Sequence, residues 1–151
     1  MTSGLMSWFV DTNILIYAID SRFPEKKKRA DLWLRELARR ELIVLSPQSL
    51  NEFYSVATRR IGLPRNASTR ERTDQLAVWC RAPLGAEVTR DVWRLEDETG
   101  YRFFDCLLIA SALRADCGFF LSEDLQHERR IGGLTILNPF LTSPLDFLAA
   151  I

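Results

Sequence analysis

Histidine and cysteine are scarce in this chain, and their scarcity removes several classes of active site. The 151 residues include one histidine, His127, and three cysteines, Cys80, Cys106 and Cys117. The cysteines are odd in number and lack metal-type spacing, so we interpret them as reduced, partly buried side chains. A zinc site would be hard to assemble from these residues, and a Ser-His-Asp or Cys-His mechanism would depend entirely on His127.

The chain also lacks net charge and a long apolar run, and we expect it to have no leader sequence. Its 20 basic and 20 acidic residues cancel, so no global field draws the protein to nucleic acid, and a polyanion must bind to local basic patches. No run reaches the ~18 apolar residues of a membrane span. Residues 1–7 have neither the basic n-region nor the long h-region of a signal peptide, so we expect a cytoplasmic protein without membrane contact.

Short apolar strands alternate with helices along the chain, which predicts an α/β fold. At 151 residues and 47% hydrophobic composition, we expect one domain over residues 1–151. The pattern predicts strands at 8–10, 42–46, 118–121 and 134–137, a minimal strand at Val88, and helices at 14–18, 25–40, 47–60, 68–81, from 89 or 91 to 98, and 106–115. Short buried strands joined by helices favour three α/β/α layers around a central, mostly parallel sheet.

Four carboxylates stand at or near the places where predicted strands and helices meet. They are Asp11 after the first strand, Glu52 in the helix after the second, Asp105 at the opening of a buried helix, and Asp124 after the third strand. Considered one at a time, three of these acids have an ordinary structural explanation. Asp11 is a good helix cap, the helix dipole stabilises Asp105 by ~0.3–1 kcal/mol, and Glu52 lies opposite the apolar face of its helix, as a surface residue would.

Together, the four acids indicate a metal site. Right-handed crossovers place the strand-to-helix junctions at one edge of a parallel sheet, which is where open α/β folds bind ligands. Unpaired carboxylates in one cleft repel, so some of them need a cation or shifted pKa values. Mg²⁺ and Mn²⁺ take oxygen ligands, favour phosphate-containing substrates and lower the pKa of bound water. This chemistry needs no histidine or cysteine, which fits the composition.

Several segments of the chain resemble the motifs of a PIN-domain ribonuclease. They are Val10-Asp11-Thr12-Asn13, Asn51-Glu52-Phe53, residues 104–112, and Leu121-Ser122-Glu123-Asp124-Leu125. The tail, residues 131–140, resembles the end of VapC toxins of bacterial type II toxin–antitoxin systems. The resemblance covers nearly the whole chain. It implies a PIN-like fold, metal-dependent endonucleolytic cleavage of RNA, a homodimer, and neutralisation by a VapB-like antitoxin.

The same resemblance implies roles for individual acids. Asp11 and Asp105 would be the principal metal ligands, and Glu52 and Asp124 would complete the cluster directly or through water. The ion would be Mg²⁺ or Mn²⁺, and a metal-activated water would attack the scissile phosphodiester.

Polar neighbours would support these acids. The resemblance implies that Asn13 and Ser122 orient the carboxylates by hydrogen bonds. Glu123 stands beside Asp124, so the sequence leaves open which of the two points inward, and we favour Asp124.

One position departs from the family pattern. Related sequences usually carry glycine where this chain has Glu128. The departure puts in question the loop conformation around His127, which we interpret as a loop residue rather than a catalytic base, and leaves the four acids unaffected.

Contacts to the substrate would come from arginines. The planar guanidinium matches phosphate, and structured RNA is recognised largely by shape and backbone. Arginines near Glu52 and Asp124 in sequence are Arg59, Arg60, Arg65, Arg70, Arg72, Arg129 and Arg130. We select Arg59, Arg60, Arg129 and Arg130, with ordinary surface charge as the alternative for each pair. The basic run at 26–29 is interpreted as a solvated helix face.

Two other functions are compatible with the same residues. An aspartyl-phosphate phosphatase would use Asp11 as its nucleophile, but such enzymes carry a second aspartate two residues on, where this chain has Asn13. A catalytically degenerate PIN-like module would bind RNA or a partner without cutting. The intact set of four acids argues against it.

Overall fold

A five-stranded sheet with helices on both faces forms the centre of the chain. The structure is a computed structural model and describes residues 6–150. The expectation that no signal peptide is present concerns residues 1–7, most of which lie outside the described residues. Among residues 6–150, no helix combines the length and apolarity needed to cross a membrane.

The sheet is mostly parallel, as predicted. Its strands are β1 (Trp8–Val10), β2 (Ile43–Val44), β3 (Phe119–Leu121), β4 (Arg130–Ile131) and β5 (Leu134–Leu137). They lie in the order β2-β1-β3-β5-β4, and every neighbouring pair is parallel except β4 and β5. Because β1 lies between β2 and β3 in the sheet, its carboxyl end lies between theirs, which brings three chain segments together at one edge.

Within residues 6–150, seven α-helices and one short 3-10 helix connect the strands. The helices are α1 (Thr12–Tyr17), α2 (Pro24–Arg39), α3 (Pro47–Arg59), α4 (Ala67–Gln75), α5 (Ala86–Thr99), α6 (Phe103–Arg114) and α7 (Pro144–Ala150), and the 3-10 helix Leu76–Trp79 follows α4. Proline opens both α2 and α3, where its missing N–H leaves no hydrogen bond unmade. Gly100 ends α5 in the left-handed conformation, at φ +72°.

Successive strand residues point to opposite faces of the sheet and enter two separate cores. Trp8 and Val10 pack with apolar side chains of α1, α2 and α3. Phe9, between them, packs with side chains of α5 and α6. The period of two along β1 therefore divides the helices into two layers, and the predicted three-layer α/β/α arrangement is confirmed.

The structure differs from the predicted elements at several places. Val88 lies inside α5, not in a strand, because its spacing to Val92 and Leu95 continues one buried helix face. The helix predicted at 68–81 is α-helical only to Gln75 and then tightens into the 3-10 helix. Neither β4 nor α7 was predicted, since two and seven residues respectively are too short to establish a period.

The basic run at the start of α2 is less solvated than expected. Lys26 pairs with Glu123, Lys27 Nζ donates to the Ala18 carbonyl at 3.0 Å, and Arg29 donates to the Thr142 carbonyl at 3.0 Å. These contacts attach α2 to α1 and to the segment after β5, so the run contributes to the fold.

The loop between β3 and β4 contains a left-handed residue at Glu128, at φ +67°. Its backbone N–H donates to the Ile136 carbonyl at 2.7 Å, and the neighbouring His127 Nδ1 accepts from the Asn138 N–H at 2.9 Å. Both contacts attach the loop to the end of β5. A left-handed conformation costs a residue with a Cβ about 1–2 kcal/mol, a cost that glycine avoids, so this backbone position favours glycine.

We therefore expect Glu128→Gly to raise the free energy of unfolding by about 0.5–1 kcal/mol, the relieved strain less the extra chain entropy of glycine. Urea denaturation of the full chain measures this difference. Glu128→Ala is the matched control, because it keeps the Cβ and removes only the carboxylate. A glycine variant no more stable than the alanine variant would contradict the explanation.

Candidate active site

An open cleft of about 650 Å³ lies at the carboxyl edge of the sheet. Its lining comes from both helical layers and from the ends of the central strands. All four acids singled out in the sequence line it: Asp11, Glu52, Asp105 and Asp124. The fold thus gathers carboxylates from chain segments that are far apart in sequence.

Asp11 directly follows β1 and is almost fully buried, at 7% exposure. Its Oδ2 accepts a hydrogen bond from the Ser122 hydroxyl at 2.7 Å. Although Asp11 occupies the cap position of α1, its side chain makes no capping hydrogen bond. Burial is the main cause that raises the pKa of Asp11 to about 7; the Ser122 hydrogen bond opposes the rise, and the charges of Asp105, Glu52 and Asp124 add to it. The helix-cap explanation therefore does not account for this carboxylate.

Glu52 projects from α3 into the cleft. Its Oε2 accepts a hydrogen bond from Thr12 Oγ1 at 3.0 Å, and its Oε1 accepts one from Gln48 Nε2 at 3.3 Å. Burial raises the pKa of Glu52, and the charge of Asp105 adds to the rise. The surface position suggested by the helical wheel is wrong, because the start of α1 packs against this side of α3 and half-buries the side chain.

Asp105 lies in the first turn of α6 and is paired with an arginine that the sequence analysis did not single out. Arg102 Nε donates to Asp105 Oδ2 at 3.1 Å. This contact is the largest cause that raises the pKa of the Arg102 guanidinium, and the charges of Asp124 and Asp11 add smaller contributions. The spacing of three residues across a helix start was the available signal for this pair.

Asp124 and its neighbour Glu123 have different partners. Asn13 Nδ2 donates to Asp124 Oδ2 at 2.9 Å. Glu123 accepts from the Tyr17 hydroxyl at 2.6 Å and is ion-paired with Lys26. The charge of Asp124 acts on Asp11, whereas Glu123 is neutralised by Lys26. Both side chains line the cleft, and the pairing of Glu123 with Lys26 leaves Asp124 as the one of the two whose negative charge acts on Asp11.

The donor atoms in the cleft are of the kind that a hard divalent cation binds. They are carboxylate oxygens, together with the buried Asn13 Oδ1, which has no hydrogen-bond partner among residues 6–150. Within the described part of the chain, no three acidic, histidine or cysteine side chains stand close enough to form a ready-made ligand set. Mg²⁺ is usually held by one or two carboxylates, with waters and substrate phosphates completing its shell. The residues therefore fit a catalytic Mg²⁺ or Mn²⁺ better than a closed structural site.

The four arginines selected from the sequence are dispersed. Arg60 lines the cleft, whereas Arg59, Arg129 and Arg130 are not among its lining residues. Arg129 lies over the Tyr101 ring, 4.9 Å from its centroid. Proximity in sequence to an acid was a poor guide, because the local backbone direction and the contacts of each side chain decide where an arginine points.

Arg22 is a second cleft arginine that the sequence analysis missed, and it is paired with a further buried acid, Asp20. The Arg22 Nε and Nη2 atoms each lie 2.9 Å from a carboxylate oxygen of Asp20. This bidentate hydrogen bonding holds the pKa of Asp20 below its usual value. Asp20 follows α1 rather than a strand, so its sequence position gave no signal.

The chain matches one protein-family model and is similar to several solved structures. A family model described as PIN domain matches residues 8–132, and a search of curated proteins returned no match. A chain of a toxin–antitoxin complex from Klebsiella pneumoniae aligns with a TM-score of 0.63 at 16% identity, covering 88% of this chain and 98% of that one. VapBC2 from Rickettsia felis, bound to a promoter DNA fragment, aligns with a TM-score of 0.60 at 18% identity, covering 87% and 97%.

A further similar structure is VapC20 of Mycobacterium tuberculosis, a toxin that cleaves the sarcin–ricin loop. It aligns with a TM-score of 0.54 at 19% identity, covering 76% of this chain and 87% of that one. At these identities the structural likenesses establish a shared fold.

The two buried aspartates of the cleft should respond oppositely to amidation. Because the pKa of Asp11 is raised to about 7, the folded chain holds a proton between about pH 4 and pH 7 that the unfolded chain releases. Stability from this group is greatest below pH 4 and declines as pH rises through that window. In EDTA, we expect Asp11→Asn to increase the free energy of unfolding, by about 2 kcal/mol more at pH 8 than at pH 5.

Asp20→Asn is the matched control. Its carboxylate has a lowered pKa and a bound arginine, so its contribution is fully present at both pH values and amidation should destabilise the chain equally at each. Urea denaturation at pH 5 and pH 8 distinguishes the two variants. A stability change for Asp11→Asn that does not depend on pH would show that folding does not raise the pKa of Asp11.

Proposed function

The chain belongs to the PIN-domain family, and from this membership we propose that it is a Mg²⁺- or Mn²⁺-dependent endoribonuclease that acts as the toxin of a toxin–antitoxin pair. The family model covers residues 8–132, so the resemblance noted from the sequence motifs is confirmed at the level of the family. One observation carries the functional proposal. Asp11, Glu52, Asp105 and Asp124 all line a single cleft.

Each acid has a proposed part in holding the cation. Asp11 and Asp105 are the principal ligands, and Glu52 and Asp124 complete the set directly or through water. The ion, when bound, lowers the pKa of a water molecule and stabilises negative charge on the phosphodiester. Asp11 supports this assignment most strongly, because burial among three other carboxylates is unfavourable for its charged form and a cation would remove that penalty.

Two polar residues hold the ligand oxygens in place. The Ser122 hydroxyl donates to Asp11, and the Asn13 amide donates to Asp124. Such hydrogen bonds fix the orientation of carboxylates that bind a metal, so that the site holds one coordination geometry. We propose that Ser122 and Asn13 are positioning residues of the nuclease.

RNA as the substrate class is supported from two directions. The similar structure of VapC20 belongs to a toxin that cleaves the sarcin–ricin loop, an RNA element. In this chain, Arg60 lines the cleft with an exposed side chain, and a guanidinium there is placed to meet a phosphate.

The alternatives are less well supported. A phosphatase that uses Asp11 as its nucleophile lacks the second aspartate, and Asn13 in that position is engaged with Asp124. A binding module that does not cut would have no need for four carboxylates around one cleft, where their mutual repulsion opposes folding.

Cleavage in the presence and absence of metal tests the proposal. We expect the full chain to cut RNA with Mg²⁺ or Mn²⁺ and to stop when EDTA is added. Asp11→Asn should lower the rate on the order of 100-fold or more, and Ser122→Ala by about 10–100-fold. Denaturing gels of end-labelled RNA measure these rates.

Asp97→Asn is the matched control, since Asp97 is an exposed acid of α5 outside the cleft, and it should leave the rate unchanged. Cleavage by Asp11→Asn at the full rate would overturn the mechanism. RNA binding without cleavage under any metal would favour the non-cutting module.

The charge of the cleft suits a basic inhibitor. Six acids line it, Asp11, Asp20, Glu52, Asp105, Glu123 and Asp124, against three arginines, Arg22, Arg60 and Arg102, which leaves a formal charge of −3 when all are ionised. Two of the similar structures are toxin–antitoxin complexes. We propose that a VapB-like antitoxin neutralises this chain in the cytoplasm by placing an arginine, a lysine or backbone N–H groups in the cleft, and that the toxin is a homodimer.

Co-expression with the product of the neighbouring gene tests the partner. We expect the two proteins to co-purify and the complex to lose RNA cleavage, with light scattering giving two toxin chains per particle. Asp105→Asn should weaken the complex through the lost charge, while Asp97→Asn should not. Failure of any small partner to bind, or binding insensitive to the cleft acids, would contradict the toxin assignment.

A further inference from the structure

Two arginine–phenylalanine pairs line the cleft, and the proposed chemistry at the acids does not use them. One pair is Arg22 and Phe23, at the entrance to α2, and the other is Arg102 and Phe104, at the start of α6. We propose that these pairs bind a single-stranded RNA segment on the two sides of the bond to be cut, with the phenylalanines stacking on bases and the arginines binding phosphates. This inference rests on the proposed nuclease function and specifies how its substrate is held.

Both phenylalanine rings are exposed, although large apolar side chains are usually buried. Phe23 is 46% exposed and Phe104 is 58% exposed. Each ring is also supported by one aromatic neighbour at a near-right angle. The Tyr17 and Phe23 centroids are 5.9 Å apart, and those of Phe103 and Phe104 are 5.2 Å apart. An edge-to-face neighbour restricts ring motion while the faces of the ring stay open. The Arg22 guanidinium lies 5.7 Å from the centroid of the Phe23 ring, so Phe23 keeps its other face for stacking, and Phe104, the more exposed ring, is available as well.

Both arginines are held by an acid and keep donors for a further anion. Arg102 binds Asp105 through Nε, and its side chain is 81% exposed. Arg22 binds Asp20 through Nε and Nη2, and its side chain is 60% exposed. A guanidinium has five N–H donors in a fixed fork, so the terminal nitrogens of Arg102 and Nη1 of Arg22 remain for phosphate oxygens. The acids fix the position of each arginine without using all of its donors.

The two pairs come from different helical layers. Phe23 immediately precedes α2, on the face of the sheet that holds α1, α2 and α3. Phe104 belongs to α6, on the opposite face with α5. The acids at the strand ends lie between these layers. A chain laid across the cleft would therefore meet one pair, then the carboxylates, then the other pair.

These features favour an unpaired RNA strand over a protein as the occupant. Stacking on aromatic side chains requires bases that are not stacked in a duplex, and arginine beside an aromatic ring is a combination typical of single-strand binding sites. An apolar side chain of a protein partner could pack on the phenylalanine rings, but it would leave the exposed guanidinium N–H donors without an anion to bind. Because stacking tolerates any base, the site should bind unpaired strands with little dependence on their sequence.

Fluorescence anisotropy with defined RNA probes tests the inference without relying on cleavage. The probes are a labelled 12-nucleotide oligoadenylate and a 12-nucleotide abasic strand with the same backbone. Binding is measured with Mg²⁺ to the full chain carrying Asp11→Asn, which keeps the probes intact. We expect Phe104→Ala and Phe23→Ala each to weaken oligoadenylate binding on the order of tenfold and to leave binding of the abasic strand unchanged.

Further variants separate stacking from other effects. Phe104→Leu keeps an apolar side chain but removes the ring face, so it should behave like Phe104→Ala. Arg102→Gln should weaken binding of both probes, because it removes a phosphate contact. Trp93→Ala is the control, since Trp93 is an aromatic residue of α5 with 57% exposure that does not line the cleft, and it should change neither affinity.

Equal affinity for the oligoadenylate and the abasic strand, or phenylalanine variants that bind both probes like the parent, would overturn the inference. So would variants that lose a co-purifying protein partner but keep RNA affinity, because the rings would then serve that partner. None of these results would affect the nuclease proposal if the wild-type chain cuts RNA. Conversely, base-dependent binding by a wild-type chain that never cuts RNA would support the inference and refute the nuclease.

Discussion

The burial of one carboxylate, that of Asp11, is the constraint around which the site is built. Within the described residues, Asp11 receives a single side-chain hydrogen bond, from Ser122, and no basic partner. It is surrounded by the negative charges of Asp105, Glu52 and Asp124. A buried carboxylate in such a place is stable only when it is protonated or when a cation is near. The fold thus holds an unfavourable charge arrangement that a divalent ion would make favourable.

The position of β1 between β2 and β3 produces this arrangement. Its residues alternate between two cores, so the strand is anchored on both faces. Asp11 is carried to the boundary between the two helical layers as a consequence. Around it, the Asn13 amide and the Lys26–Glu123 pair determine how the loop after β3 presents its acids. The rigidity of the core and the geometry of the cleft are therefore consequences of one strand.

The arginines of the cleft form ion pairs with some of its acids and not with others. Arg22 pairs with Asp20 and Arg102 pairs with Asp105, whereas within residues 6–150 no arginine or lysine is paired with Asp11. Burial does not separate the two cases, since Asp20 is 3% exposed and Asp11 is 7% exposed. The difference lies in the partner, because a buried carboxylate without a basic partner is the one that a nearby cation would stabilise most.

The sequence by itself determined the mostly parallel sheet, the two-layer burial and the four acids, because strand alternation, the apolar run of α6 and the strand-to-helix junctions are local patterns. Glu52 was detected only as one of a set, since its helical wheel suggested a surface position. Tertiary structure alone decided that Glu123 turns to Lys26 and Asp124 to Asn13, that Arg22 and Arg102 line the cleft while Arg129 and Arg130 do not, and that β4 and α7 form. The physical reason is that these outcomes depend on contacts between segments far apart in the chain, and the orientation of a long side chain is set by the partner it meets rather than by its neighbours in sequence.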